Sequence, residues 1–308
     1  MQPDRPLLGI ALMLGFCVLA PFADALAKLL GPEMATGQLL TLRFAIQAAI
    51  LVPLTLATGR SWRMDRRTTL LVVARTLLHI AGIALVFTSL LYLPLADAIA
   101  IAYVMPFIAL LLGKLVLNEE VGPRRLTACA VGFAGTLMVV QPAFQDVGWP
   151  ALLPFGVALV FALFILVTRM MSAADPIAMQ ATSALMALVV LIPAMALIPH
   201  AQLDWRAPTT TGWSLIALMG LAGTFAHLLM TWALKYAPSA TLAPMQYLEI
   251  PVATFVGWLI FSDLPGPLAT LGIAVTMGAG LYVIWREQAS GGRPPAPQAT
   301  HSGTPPAG

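Results

Sequence analysis

The chain has 308 residues, of which 59% are hydrophobic and only 9% charged, with a formal net charge of +3. Soluble domains carry about 25% charged residues, so this composition excludes a soluble globular protein. Two cysteines, Cys17 and Cys129, both fall in apolar stretches and suit space filling rather than a disulfide framework.

Ten apolar runs of about 20 residues are long enough to cross a hydrocarbon core as helices. They occupy 7–29, 35–57, 68–90, 94–117, 123–141, 149–170, 176–198, 211–236, 239–261 and 265–286. The first run is too long, and too polar around Asp24 and Lys28, for a cleaved signal peptide, and is expected to stay as span one. Asp24 precedes Lys28 by four residues, the favourable order for a local ion pair. Span two holds Arg43, and span three holds Arg75 and His79, which share a helix face at i,i+4. A guanidinium keeps its charge and suits carboxylate or phosphate. Two arginines at membrane depth therefore point to an anionic or zwitterionic substrate. Internal neutralisation by Asp24, Asp97 and Glu249 is the competing reading.

Asp97 lies in the first turn of span four, where a helix N-terminus stabilises a carboxylate. Tyr103 follows in the same span. His227 lies mid-way along span eight, either hydrogen-bonded within the bundle or carrying protons. Span nine contains Gln246-Tyr247-Leu248-Glu249-Ile250-Pro251, with Pro244 just upstream. Each proline removes a helix donor and can kink the span. An ionisable side chain at bilayer depth costs at least about 2–3 kcal/mol on insertion scales, so Glu249 needs a partner, water or a role. It is expected to bind substrate or a proton; packing as a neutral or arginine-paired acid is the alternative. Trp62, Trp149 and Trp205 suit the interfacial belts. From 288 to 308 the chain is rich in Gly and Pro and is expected to be a disordered tail.

The basic residues set a topology. With the N-terminus cytoplasmic, Arg5, Arg60, Arg63, Arg66, Arg67, Arg124, Arg125, Arg169, Lys235, Arg286 and Arg293 lie inside, and only Arg206 lies outside. This positive-inside pattern places both termini in the cytoplasm and explains the basic excess without nucleic acid.

The chain also repeats itself at an offset of 144 residues (247 − 103 = 144). Tyr92-Leu93-Pro94-Leu95-Ala96 returns as Tyr236-Ala237-Pro238-Ser239-Ala240, and Tyr103/Tyr247, Gly113/Gly257, Glu119/Asp263, Gly122/Gly266 and Pro123/Pro267 continue it. Met105 stands where the second copy has Glu249. Five spans per copy is odd, so the second half must be inverted. Arg124 and Arg125 of the cytoplasmic loop become Leu268 and Ala269 in its counterpart, as inversion requires. The expected organisation is an all-α integral membrane protein of ten transmembrane helices: repeat one over 1–145, an inverted repeat two over 146–287, then the tail. Glycines 132, 135, 272, 278 and 280 place small faces on spans five and ten, for close approach within a protomer or between two.

Ten spans in two inverted halves, with Pro106-(x6)-Gly113-(x5)-Glu119-Glu120-(x)-Gly122 matched by Pro251-(x5)-Gly257-(x5)-Asp263-(x2)-Gly266, resemble the EamA-type branch of the drug/metabolite transporter superfamily. The resemblance covers about 7–286. It implies secondary transport of small metabolites by alternating access, with the N- and C-terminal halves rocking about a central cavity. It also implies a cavity drawn from spans one, three, four, six, eight and nine. Because second spans in the family lie outside the cavity, it gives Arg43 a structural role; because first spans line the pathway, Asp24 has a second reading as a cavity carboxylate. Phe22-Ala23-Asp24-Ala25-Leu26-Ala27-Lys28 further resembles bacterial members for S-adenosylmethionine-like or riboflavin-like uptake.

The expected substrate-binding residues are Arg75, Glu249, Tyr103, Tyr247, His79, Asp24, Gln246 and His227, with Arg75 on an anion and Glu249 on an amino group or proton. No cofactor, metal or catalytic motif is expected. The expected partners are a small-molecule substrate, a coupling proton or ion, and the lipid of a bacterial inner membrane, around a monomer or homodimer. Amino-acid or drug efflux, and a channel or scaffold, are the rival functions.

Overall fold

The computed structural model describes residues 5–62, 64–105, 107–108, 111–112, 123–171, 173–237, 242 and 245–290. Among them the structure is helical throughout: α1 (Pro6–Leu30), α2 (Thr36–Ala57), α3 (Arg66–Leu90), α4 (Leu95–Ala102), α5 (Pro123–Val147), α6 (Leu153–Met170), α7 (Pro176–Leu197), α8 (Thr210–Tyr236), α9 (Glu249–Phe261) and α10 (Pro267–Ser290). Short 3₁₀ turns precede α6 and α8. Six helices, α1, α2, α3, α6, α7 and α8, are long and apolar enough to cross a membrane. Several features noted in the sequence lie outside the described residues: Pro106, Gly113, Glu119, Glu120, Gly122, Pro238, Pro244 and the tail beyond 290. The last helix runs on to Ser290, into the segment expected to be unfolded.

The helices pair in a pattern that repeats under a shift of five in their numbers. α1 packs along α8 and α3 along α6; α1 meets α9 and α4 meets α6; α2 pairs with α7, α4 with α9, and α5 with α10. Residues related by the 144-residue offset meet where such pairs cross. Thr276 Oγ1 lies 3.3 Å from the Gly132 carbonyl, and the Tyr103 and Tyr247 ring centroids are 5.5 Å apart. The α5–α10 seam is built on glycine: a Cβ at Gly135 would stand 2.9 Å from the Gly272 carbonyl oxygen. These small faces are used inside the chain, where missing side chains let backbones approach.

The periphery is apolar, with Val189, Leu197, Leu259 and Trp285 all more than half exposed. The interior instead holds Arg43, Arg75, His79, Gln180, Ser183 and His227. Water drives apolar groups inward, but lipid does not, so polar groups here find their partners within the bundle.

Spans four and nine are broken at equivalent places. Tyr103-Val104 forms a turn after α4, and Tyr247-Leu248 forms a turn before α9. Hydrogen bonds tighten there to three-residue spacing: Val104 N–H donates to the Ile101 carbonyl at 3.3 Å, and Ile250 N–H to the Tyr247 carbonyl at 3.3 Å. Pro251 has no N–H to offer the Tyr247 carbonyl four residues back. The interruptions thus fall on the paired tyrosines, in span nine four residues before Pro251.

The expected local pair of Asp24 with Lys28 is not formed. Lys28 Nζ instead bonds Asp263 Oδ2 at 3.2 Å and the Leu93 carbonyl at 3.1 Å, and lies 4.8 Å from the centroid of Phe261. Partners on two other elements outweigh one on its own helix. Ser262, in the left-handed conformation (φ 59°), ends α9 and turns Asp263 toward the lysine. A second ion pair, Arg60 with Asp175, joins the end of α2 to the start of α7. Asp97 is in the first turn of α4, but among the described residues it makes no capping hydrogen bond and its buried Oδ1 has no partner.

Candidate functional site

A cavity of about 80 Å³, room for several waters, opens between α1, α3, α4, α6, α8 and the break before α9, with one side chain from α2. Its polar lining is Asp24, Arg43, Ser89, Tyr103, His227, Gln246 and Glu249; Phe16 and Phe161 supply aromatic wall.

One pole forms at the two broken spans. Tyr103 Oη donates to Glu249 Oε2 at 2.5 Å, joining the first break to the first turn of α9. Glu249 is 8% exposed, and its placement at a helix N-terminus suits an acid. No lysine or arginine within 4 Å pairs with it among the described residues. Gln246, one turn earlier, has its amide 3.9 Å from Met13 Sδ, and Cys17 Sγ donates to the Met245 carbonyl at 3.3 Å, so α1 closes over this break.

Arg43 makes the other pole. α8 presents Gly220 and Gly223 to α2, and a Cβ at Gly223 would lie 2.4 Å from Arg43 Nη1. The guanidinium therefore rests on bare backbone. It makes no hydrogen bond or ion pair with a described residue, and its Nε is buried without a partner. Asp24 lines the same cavity without closing to within 4 Å of it. His227 stands beside Phe16 (6.0 Å between centroids) and is stacked on Phe161 (6.3 Å, 20°), and its Nδ1 has no partner among the described residues.

Behind the cavity lies a separate polar network. Arg75 Nε donates to Thr168 Oγ1 at 3.0 Å and Nη1 to Ser183 Oγ at 3.0 Å, while the guanidinium lies 4.5 Å from the Phe164 ring centroid. Gln180 takes Gln47 Nε2 on its carbonyl at 3.0 Å and donates to Thr231 Oγ1 and the His227 carbonyl, both at 3.0 Å. Five helices are tied together by these contacts. His79 lies between network and cavity, its ring 4.3 Å from that of His227, with neither nitrogen partnered among the described residues.

Of the expected site residues, Asp24, Tyr103, His227, Gln246 and Glu249 line the cavity; Arg75, His79 and Tyr247 do not. Tyr247 packs in the apolar core with Tyr103 and Phe107. Arg43, read from the resemblance as structural, is the arginine the cavity contains. The signal that marks it is the Gly220/Gly223 pair on span eight, which the sequence reading left aside. Thr168, Gln180 and Ser183 were likewise overlooked, although a glutamine at membrane depth asks for partners as a charge does.

The EamA-like transporter family model matches residues 7–141 and again 148–286. The chain is 31% identical over 215 residues to a riboflavin transporter of Rhizobium johnstonii, covering 70% of each chain. It is 23% identical over 282 residues to an S-adenosylmethionine uptake transporter of Rickettsia prowazekii, covering 92% of this chain and 94% of that one. A crystal structure of a protein whose function is unstated superposes with a TM-score of 0.66, covering 92% of this chain and 97% of that chain at 17% identity, a likeness of fold alone.

Proposed function

The chain belongs to the EamA-like transporter family, and on that premise we propose that it takes up a zwitterionic, nucleoside-like metabolite of the S-adenosylmethionine type by alternating access. It is a multi-pass membrane protein and a metabolite transporter. The finer reading has ten spans in two inverted halves, 1–145 and 146–287, with both termini on the cytoplasmic side of an inner membrane. Support comes from the helix pairing that repeats under a shift of five, and from the positive-inside pattern. Glycine faces spent on the α5–α10 seam favour a monomer.

The observation that carries the reading is the Tyr103–Glu249 hydrogen bond, which bridges two equivalent helix breaks at the cavity wall. Unwound backbone at membrane depth is tolerated where it lines a cavity. A bond between the breaks can form or part as the halves rock, so that occupancy of the site is linked to the exchange of states. A proton or ion coupled to this acid would supply the driving force.

A second reading, uptake of a riboflavin-like vitamin, is favoured by the 31% identity to a riboflavin transporter and by the aromatic wall of Phe16 and Phe161. Proteoliposomes containing the purified protein should accumulate labelled S-adenosylmethionine saturably and exchange it in counterflow, which a channel does not do. If neither S-adenosylmethionine nor riboflavin accumulates, or if Glu249→Gln transports like wild type, this assignment fails.

A further inference from the structure

We propose that Arg43 and His227 form a carboxylate-binding subsite, so that the transported zwitterion lies with its anionic end there and its cationic end toward Glu249 and Asp24. The proposal rests on the transport reading above and names the charge pattern of the substrate in the same cavity.

A guanidinium at bilayer depth cannot shed its charge, and leaving it unpaired is costly. Arg75 meets part of that demand with the hydroxyls of Thr168 and Ser183, its Nη2 being buried without a partner among the described residues. Arg43, only 3% exposed, has no equivalent among the described residues. Its position is nevertheless built rather than incidental, because Gly223 leaves room for the fork where any Cβ would collide with it. His227, 5% exposed and lining the same cavity, offers a second nitrogen without a partner. A planar carboxylate fits a guanidinium by two parallel N–H···O bonds, with the imidazole as a third contact.

The remaining polar wall has the opposite sign. Asp24 and Glu249 are two acids in a cavity with a single arginine. Asp24 acts on Arg43 only at a distance, and Glu249 has only a hydroxyl as partner. A neutral ligand would leave Arg43 unmatched, and a simple anion would leave both acids facing it. A molecule carrying a carboxylate and a separate cation matches all three; since about 80 Å³ holds only waters, its body enters between Phe16 and Phe161 as the halves part.

The test is equilibrium binding to the purified full-length protein in nanodiscs, using S-adenosylmethionine, its decarboxylated analogue and riboflavin. The first two differ only in the carboxylate. Wild type should bind S-adenosylmethionine about tenfold or more tightly than the decarboxylated analogue. Arg43→Gln should erase that preference while still binding the analogue, which also reports a folded cavity. Gly223→Ala, which retains the arginine but pushes it off its seat, should reduce the preference in the same direction. Should Arg43→Gln fail to fold, Gly223→Ala and the wild-type comparison decide. Equal wild-type affinities for the two compounds, a preference that survives in Arg43→Gln, or binding of riboflavin alone would each overturn the proposal. Riboflavin uptake without a zwitterion preference leaves transport standing and removes only this subsite, whereas absence of any uptake removes the transport reading itself.

Discussion

Arg43 and Arg75 are buried guanidinium groups on neighbouring helices, and their surroundings are opposite. Arg75 is wrapped by hydroxyls from α6 and α7 and by the face of Phe164. Arg43 lies on the bare backbone of Gly223 and looks into a cavity that holds two acids it does not touch. Both residues were chosen by the same sequence rule, that a charge at membrane depth needs a reason. The contrast supplies two reasons: a charge held by hydroxyls and a ring ties helices together, and one seated on bare backbone at a cavity is placed to meet a ligand.

The largest effect is expected from removing the hydrogen-bonded arginine. Arg75→Met strips partners from Thr168, Ser183 and the Gln180 network, and should cost about 2–4 kcal/mol of stability. Thermal unfolding of purified protein would register the loss, while uptake per folded molecule stays near wild type; uptake abolished in a fully stable variant would reverse the comparison. Glu249→Gln sharpens the other side. The amide still accepts from Tyr103, so stability should hardly move, yet uptake should fall about tenfold or more as the charge is lost. Tyr103→Phe deletes the bridge between the breaks and should cost about 1 kcal/mol, visible as a several-fold drop in transport. Smallest is the pair at the rim. Lys28 and Asp263 have side chains 17% and 39% exposed, so a double-mutant cycle on thermal stability should return a coupling of about 0.5–1 kcal/mol at low salt, weakening as salt rises.

Much of the scaffold was legible before any coordinates. The run 7–29 became Pro6–Leu30, and 35–57 became Thr36–Ala57, because lipid permits few structures besides a continuous helix. The place of Glu249 was legible too, since a lone acid between prolines in an apolar span has few bland explanations. Spans four and nine hid a detail that apolar content does not carry. The break in span nine falls at Tyr247, four residues before Pro251, because a missing N–H is felt at the carbonyl it would have served, and its repeat counterpart Tyr103 carries the matching break in span four.

Partner choice was the part that did not show. Helical spacing puts Asp24 and Lys28 on one face, and Arg75 and His79 on another, but it says nothing about what those faces meet. Lys28 found Asp263, 235 residues away, and Arg75 found Thr168 and Ser183, 93 and 108 residues away. By itself, then, the sequence determined a membrane-embedded chain with an internal repeat and an asymmetric acid in it, because hydropathy and self-similarity are properties of the chain alone, and its resemblance to a family implied metabolite transport. Which arginine is hydrogen-bonded and which faces the cavity was decided only in the tertiary structure, because hydrogen-bond partners belong to a packed neighbourhood, and Gly223 on α8 acts on Arg43 only once the two helices cross.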